Sequence, residues 1–385
     1  MKHEIVIVGG GAVGAALVLA LHRAGIDAAL VERGAPPPAW DAADYDLRVY
    51  ALSPASTRFL DTLAVWPEIV SRRASAYRTM RIWDEQPQRA LEFASAPLGL
   101  PQLGHIVENS LLLQSLWRPL AEVPLYTGVR IAALKLDEDA ARLSFDDGRE
   151  LSARLVIAAD GADSALREAA GIECLRRPYP QRAVVCHVRT ERPHRGTAWQ
   201  RFLPTGPLAF LPLADGRCSI VWSSQEADEL LALDDAEFRL RLAAALQFEL
   251  GAIIECTRRV AFPLQLLHAR DYVRPRFALA GDAAHVVHPL AGQGVNLGLA
   301  DAELLARQLI AAHDERRDPG NLRLLQRYER ARKADALDML AVTDGLNRAF
   351  GLRSETWDGL RGFGLDAVNR LAPLKTLLAR RAVGA

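Results

Sequence analysis

The chain opens with a short apolar run, Ile5-Val6-Ile7-Val8, of the kind that forms a buried strand. Apolar positions at helical spacing follow (Ala15, Ala16, Leu17, Leu19, Ala20, Leu21) as far as Gly25, and a second apolar run spans Ala28 to Val31. A third strand pattern runs from Leu151 to Ala159. Between Arg176 and Pro263 the texture changes to short alternating segments, among them Ala183 to Val188, Leu208 to Leu211 and Cys218 to Trp222, which predict antiparallel strands. Thr79 to Phe93 is expected to add strands to that sheet. Ser53 to Trp66 has helical spacing, Asn296 to Leu346 is mainly helical, and Trp357 to Ala385 keeps helical apolar spacing to the end.

Three glycine or Asp-Gly turns punctuate this pattern where strands end. The first is Gly9-x-Gly11-x-x-Gly14, a strand, tight turn and helix in the order of a dinucleotide fingerprint. Glu32 ends the second strand, placed to accept both hydroxyls of an adenosine ribose and to repel a 2′-phosphate, so FAD or NAD suits the unit better than NADP. The second turn, Asp160-Gly161-Ala162-Asp163, leads into a helix whose first-turn N–H groups suit phosphate contact. The third runs from Gly281-Asp282 to Gly292-Gln293-Gly294-Val295-Asn296. There an aspartate can accept ribose-type hydroxyls, and the glycines let backbone N–H groups approach an anionic or carbonyl-rich ring system. Two nucleotide-contact segments so far apart in one chain point to a flavin, held as FAD.

The predicted fold is therefore α/β: a Rossmann-like FAD-binding domain from 1–75, 98–175 and 265–345, an inserted antiparallel β-sheet substrate domain from 76–97 and 176–264, and a helical C-terminus at 346–385.

Composition removes alternatives. The 385 residues carry no formal net charge and half are apolar, which gives no footprint for nucleic acid. Cys174, Cys186, Cys218 and Cys256 stand apart, so neither a disulfide framework nor a zinc site is expected, and a reducing cytoplasm fits. The N-terminal apolar run is too short for a signal peptide, and no stretch is apolar enough for a membrane span. His285 and His288 lack an acidic or cysteine partner at ligand spacing, so no metal is expected and helix-entry hydrogen bonding is the reading of both. Arg327, Arg330, Arg332 and Lys333 read as a solvated helix face. Trp199, Phe202, Phe210 and Trp222 are candidates for a substrate cavity, with core packing as the alternative.

With these motifs in this order, the chain resembles the class A FAD-dependent aromatic hydroxylases of the p-hydroxybenzoate hydroxylase type, closest to the ubiquinone-biosynthesis hydroxylases. The narrower likeness rests on Asp46-x-Arg48 followed by Ala51-Leu52-Ser53 and Trp66, on Val107-Glu108-Asn109, on Phe262-Pro263-Leu264, and on His285-x-x-His288-Pro289 through Gly298. Ala64 departs from it, standing where the family has glycine before its Trp. The resemblance implies that Gly9, Gly11 and Gly14 contact the FAD diphosphate and Glu32 the adenosine ribose, while Arg48 reaches toward the diphosphate or flavin. Asn109 takes a place where relatives often carry a flavin-contacting arginine. By the same resemblance Asp160 and Gly161 sit by the diphosphate, Asp282 binds the ribityl chain, Gly292, Gln293, Gly294, Val295 and Asn296 line the isoalloxazine, and the Pro289 carbonyl lies near a phenol. NAD(P)H and O2 would generate a flavin C4a-hydroperoxide that hydroxylates a polyprenylated phenol, with no protein nucleophile. Peripheral contact with the inner membrane, through the tail, or a biosynthetic complex would deliver such a substrate. Two other readings stay open: a hydroxylase of another small aromatic or polyketide, and a non-catalytic flavoprotein scaffold.

Overall fold

The computed structural model describes residues 1–288 and 294–351. In chain order, the elements that shape the site begin with β1 (Lys2–Val8), α1 (Ala12–Arg23), β2 (Ala28–Glu32), β3 (Val49–Leu52) and α2 (Pro54–Thr62). Next come β4 (Thr79–Trp83), β5 (Leu91–Ala94), β6 (Gly104–Glu108), α3 (Asn109–Trp117), β7 (Leu125–Thr127) and β8 (Glu150–Ala158). The later strands are β9 (Cys174–Thr190), β10 (Thr197–Leu203), β11 (Gly206–Pro212), β12 (Cys218–Ser224), β13 (Val260–Ala269), β14 (Phe277–Leu279) and β15 (His285–Val286). Helices α4 (Gly294–Asp314) and α5 (Leu322–Gly351) follow.

β14, β8, β1, β2 and β7 lie side by side, every neighbouring pair parallel, at the heart of an eight-stranded sheet. Their near-continuous Val, Ile, Leu and Ala content is what a parallel strand covered on both faces requires. The Ala-rich α1 is buried from Ala12 to Leu21 apart from Val13. At Gly298 of α4 a Cβ would come within 2.5 Å of Val13 Cγ2, so α1 and α4 pack closely only because that position has no side chain.

The second sheet runs β15, β13, β9, β12, β11, β10, β4, β5, so the strands of 79–94 do join it. It is antiparallel except between β10 and β4, which pair in parallel, as strands joined by a long connection can. The Gly-Asp segment contributes β15 to its edge, paired with β13.

The helical spacing of Ser53 to Trp66 resolves into two helices rather than one. Helix α2 is capped by Ser53, whose side chain accepts from Ser56 N–H, and it stops in a Schellman turn: Val65 N–H donates to Leu60 O and Ala64 N–H to Asp61 O. Ala64 carries φ 48°, the left-handed position where glycine is favoured, and a new helix starts at Trp66. Ala64→Gly should therefore raise stability by about 1 kcal/mol, the steric cost of a Cβ there. Equilibrium urea unfolding checks it, and a midpoint equal to or below that of the parent counts against it.

Candidate active site

The carboxyl ends of the parallel strands are tied edge to edge. Gly9 N–H donates to Val31 O at 2.8 Å, Ala159 N–H to Val8 O at 2.7 Å, and Ala280 N–H to Ala158 O at 2.9 Å. The turns leaving β1, β8 and β14 thus start from one line, the place where open α/β sheets bind ligands. At Gly9, φ is 108° and a Cβ would stand 2.2 Å from Ala159 O; at Gly14 it would stand 1.9 Å from Gly9 O. Those two glycines are required by the protein's own backbone. Gly11 is not: nothing lies within 4 Å of the Cβ it lacks, and the position is exposed.

A cavity of about 670 Å³ opens at this point. Gly11, Arg48, Asn109, Gly161, Asp282, Gly294 and Val295 line one part of it. The remainder is apolar, walled by Ala183 and Val185 of β9, Leu211 of β11, Val221 of β12 and Phe262 to Leu264 of β13, with Leu47 and Tyr50 at the side. The size is within the range of small-molecule sites.

Motifs far apart in sequence meet here. Asp46 accepts Arg48 N–H and Ser110 N–H, each at 3.0 Å, Glu108 accepts Asp46 N–H at 3.0 Å, and Asn109 N–H donates to Arg48 O at 2.9 Å. The Asp46-x-Arg48 segment is thereby fastened to Val107-Glu108-Asn109, with Glu108 held by Arg73 at 3.0 Å. The Arg48 guanidinium lies over the Tyr50 ring at 5.3 Å, and the Tyr50 hydroxyl donates to Asn109 Oδ1 at 3.0 Å. Asn296 joins the start of α4 to the Ala51-Leu52-Ser53 motif. Its Oδ1 accepts from Ser53 N–H and from the Ser56 hydroxyl, and its Nδ2 donates to Ala51 O.

Among the sequence-predicted residues, Gly9, Gly14, Glu32, Asp160 and Asn296 stand behind the cavity lining rather than in it. Glu32 accepts Gly10 N–H at 2.6 Å and Gly34 N–H at 2.8 Å, which closes the fingerprint turn against the end of β2. Two first-turn N–H groups of the short helix after Asp160 are already taken by side chains. Ser164 accepts from Arg167 N–H and Asp160 from Leu166 N–H, because the short polar side chains cap it. Asp160 Oδ1 is buried without a hydrogen-bond partner among the described residues, and burial pushes its carboxyl above the ordinary aspartate value. Pro289, Gly292 and Gln293, like most of the 346–385 tail, lie outside the described residues.

Asp282 is open to solvent inside the cavity yet surrounded by protein. Burial pushes its carboxyl above the usual aspartate value, against the pull of His285 and Arg48. Burial likewise raises the Tyr50 phenol.

One open alternative is decided for core packing, and two expectations need correction. Phe210 and Trp222 are buried in a cluster, with Trp199 packed on it, that lies on the sheet face away from the cavity, and neither they nor buried Phe202 line it. Successive strand residues face opposite ways, so Val221 and Leu211 reach the cavity while Trp222 and Phe210 do not. His285 is no helix-entry residue: it sits on β15, and its Nε2 pairs with Asp301 on α4 at 2.7 Å. Arg332 belongs to no solvated face. It is buried, pairing with Asp301 at 2.6 Å, while Arg327 and Arg330 are exposed as expected. Among the described residues there is no cluster able to hold a metal.

Cavity residues that the sequence reading did not single out include Leu47, Tyr50, Ala183, Val185, Leu211 and Val221. For Tyr50 a signal existed, since its i, i+2 spacing from Arg48 places both on one side of an extended segment.

The arrangement fits a flavin dinucleotide on its own terms. It offers an open-faced glycine at the first turn of α1, a buried carboxylate oxygen lacking a partner beside the β8 turn, and an acidic side chain facing the cavity from the β14 turn.

Comparison with known proteins agrees. The family model described as an FAD binding domain matches residues 2–343. Ubiquinone hydroxylase UbiL of Rhodospirillum rubrum is 39% identical over 386 residues, covering 99% of this chain and 89% of that protein. The 3-demethoxyubiquinol 3-hydroxylase of Escherichia coli is 36% identical, covering 99% of this chain and 98% of its own length. Among solved structures, PqsL of Pseudomonas aeruginosa in complex with 2-aminobenzoylacetate superposes with a TM-score of 0.79 at 25% identity, covering 95% of this chain and all of that one. The p-nitrophenol 4-monooxygenase of Pseudomonas putida shares the fold, with a TM-score of 0.78 at 21% identity over 99% of this chain and 98% of its own.

Proposed function

Because the chain belongs to the FAD-binding-domain family of flavoprotein monooxygenases, we propose that it hydroxylates the ring of a polyprenylated phenol in ubiquinone biosynthesis, using NAD(P)H and O2. The observation that carries this reading is one continuous cavity, lined in part by the three strand-end turns and for the rest by an apolar sheet wall. The relatives named for ubiquinone chemistry, similar over nearly the whole chain, support the substrate class.

FAD, once reduced, supplies the activated oxygen that the ring takes up. The protein's part is to bind, orient and exclude water. Gly11 and Gly161 leave room for the diphosphate, Asp282 accepts hydroxyls of the ribityl chain, Arg48 offers a cation to the anionic end, and Glu32 serves the adenosine ribose. Ala183, Val185, Leu211, Val221 and Leu264 would present an apolar surface to the ring, orienting it and excluding the water that favours peroxide release.

Asp282→Ala should weaken FAD binding by about 1.5–3 kcal/mol, the worth of a charged hydrogen-bond acceptor. The sign with pH is fixed by the raised carboxyl. Without cofactor, Asp282 holds its proton to a higher pH than an exposed aspartate does. The ionised carboxylate accepts hydroxyl bonds more strongly than the protonated acid, so FAD affinity is highest above that raised pKa and falls as pH drops through it. Fluorescence titration of the apoprotein with FAD measures both effects. An Asp282→Ala variant with parental affinity, or with the same acid loss as the parent, removes the assignment. Turnover with a short-chain prenylated phenol, followed by mass spectrometry for one added oxygen, tests the reaction.

A polyprenylated substrate resides in a bilayer, and no helix among the described residues is long and apolar enough to cross one. We therefore propose delivery by peripheral contact with the inner membrane. In liposome flotation at low salt the protein should rise with vesicles containing anionic lipid; retention in the soluble fraction argues instead for a carrier or complex.

A further inference from the structure

A fully buried charge lies beneath the Gly-Asp turn. Asp301, on the first half of α4, has no accessible surface. Its Oδ2 accepts Gly281 N–H at 2.8 Å and His285 Nε2–H at 2.7 Å, and its Oδ1 accepts Arg332 Nε–H at 2.6 Å. Arg332 is in turn fixed by the Leu297 carbonyl at 3.3 Å and by Asp335. Four elements thus meet on one carboxylate: the turn after β14, the short strand β15, α4 and α5.

Burying an ion pair is a poor way to gain stability, since a well-packed apolar cluster of the same volume does as well or better. What this carboxylate gains is geometry. The two groups bonded to Oδ2, Gly281 N–H and His285, bracket Asp282 in sequence. Gly281 sits at φ 62°, with Val13 Cγ2 only 3.1 Å from where its Cβ would be, so the turn is pressed between Asp301 and α1. Asp282 and His285 both line the cavity. The His285 ring is oriented by that Nε2–H bond to Asp301.

We propose that Asp301, braced by Arg332, is a positioning residue for the flavin pocket: it holds the Gly281–His285 turn so that the Asp282 carboxylate points into the cavity, and it fixes the His285 ring beside it. The inference rests on the reading that Asp282 receives FAD.

The test is a double-mutant cycle on FAD affinity in the full-length apoprotein, with thermal unfolding of each apoprotein recorded alongside. Asp301→Asn removes the charge and places an NH2 against a donor. It should weaken FAD binding at least tenfold in the parent and by less than twofold in an Asp282→Ala background, because the contact it organises is already gone. Equal losses in both backgrounds, or none in the parent, overturn the proposal. A lower unfolding temperature with unchanged FAD affinity also overturns it, since the role would then be structural alone. If Asp282→Ala itself leaves affinity unchanged, the reading of Asp282 fails instead, which keeps the two failures apart. Should Asp301→Asn not fold, Arg332→Gln, which releases only the Oδ1 side, is put through the same cycle: a smaller loss that vanishes in the Asp282→Ala background supports the proposal, and an equal loss in both backgrounds refutes it.

Discussion

Gly11→Asp should yield a protein as stable as the parent that no longer binds FAD. Gly11 is the N-cap of α1 at φ −65° and ψ 178°, an extended conformation open to any residue, and nothing stands within 4 Å of the missing Cβ. Aspartate is a preferred N-cap and favours the positive end of the helix dipole, so the apoprotein should keep or slightly raise its stability. The same carboxylate would occupy and charge the space proposed for a diphosphate, and a loss of FAD affinity of about 100-fold or more, some 2.7 kcal/mol, is expected. Gly14→Ala should do the reverse. Its Cβ would lie 1.9 Å from Gly9 O, backbone of a residue whose N–H is held by Val31 O of β2, so the cost is structural, at about 3 kcal/mol or more. Calorimetry of both apoproteins together with FAD titration decides the matter. An unstable Gly11→Asp protein, or one that binds FAD normally, would show that the two glycines had been assigned the wrong tasks.

Val221→Trp is expected to cost at least 100-fold in hydroxylation while FAD affinity stays within about twofold. Val221 faces the cavity from the middle of β12, opposite Ala209 and next to Leu211, and an indole there would occupy the space of the substrate ring. NAD(P)H oxidation should continue at a low rate and end as hydrogen peroxide, because no ring is in place to take the oxygen. Phe210→Leu is the control. Its ring is fully buried on the other face, so the change should cost about 1 kcal/mol of stability and leave the yield of hydroxylated product per NAD(P)H unchanged. Oxygen consumption, peroxide and product measured together separate the cases; a fully coupled Val221→Trp enzyme would place the substrate elsewhere.

That contrast also shows where sequence reading runs out. The turns after β1, β8 and β14 were legible because each couples a local strand pattern to residues of unusual backbone freedom. Which face of β11 and β12 meets the cavity was not legible, since β11 is buried at every position and β12 at all but Val221. Alternation has no phase when both faces are buried. Arg332 was misread for a related reason: its partner Asp301 lies 31 residues away, and helix-face spacing carries no record of a charge buried on a neighbouring helix. Ala64 was visible only as a departure from the family pattern; the structure turns that departure into a left-handed residue ending α2. Asn296 was expected at the cavity, but its side chain is spent on Ala51, Ser53 and Ser56, a need set by the approach of α4 to β3 that no local pattern encodes.

The parallel sheet has a bearing on how the chain is made. Its central strand β1 pairs with β2 at once, through Ile5 and Ala28, but its other edge waits for Leu155, and the edge of β8 waits for Phe277. A ribosome must therefore deliver the chain as far as Leu279 before the line of strand ends exists as a surface. An N-terminal fragment carrying the complete glycine fingerprint has no pocket to offer, and cofactor capture falls among the last events of biosynthesis. Such non-local closure is slow and leaves apolar edges uncovered in the interim, so free FAD acts chiefly by trapping the finished fold rather than by templating an early one.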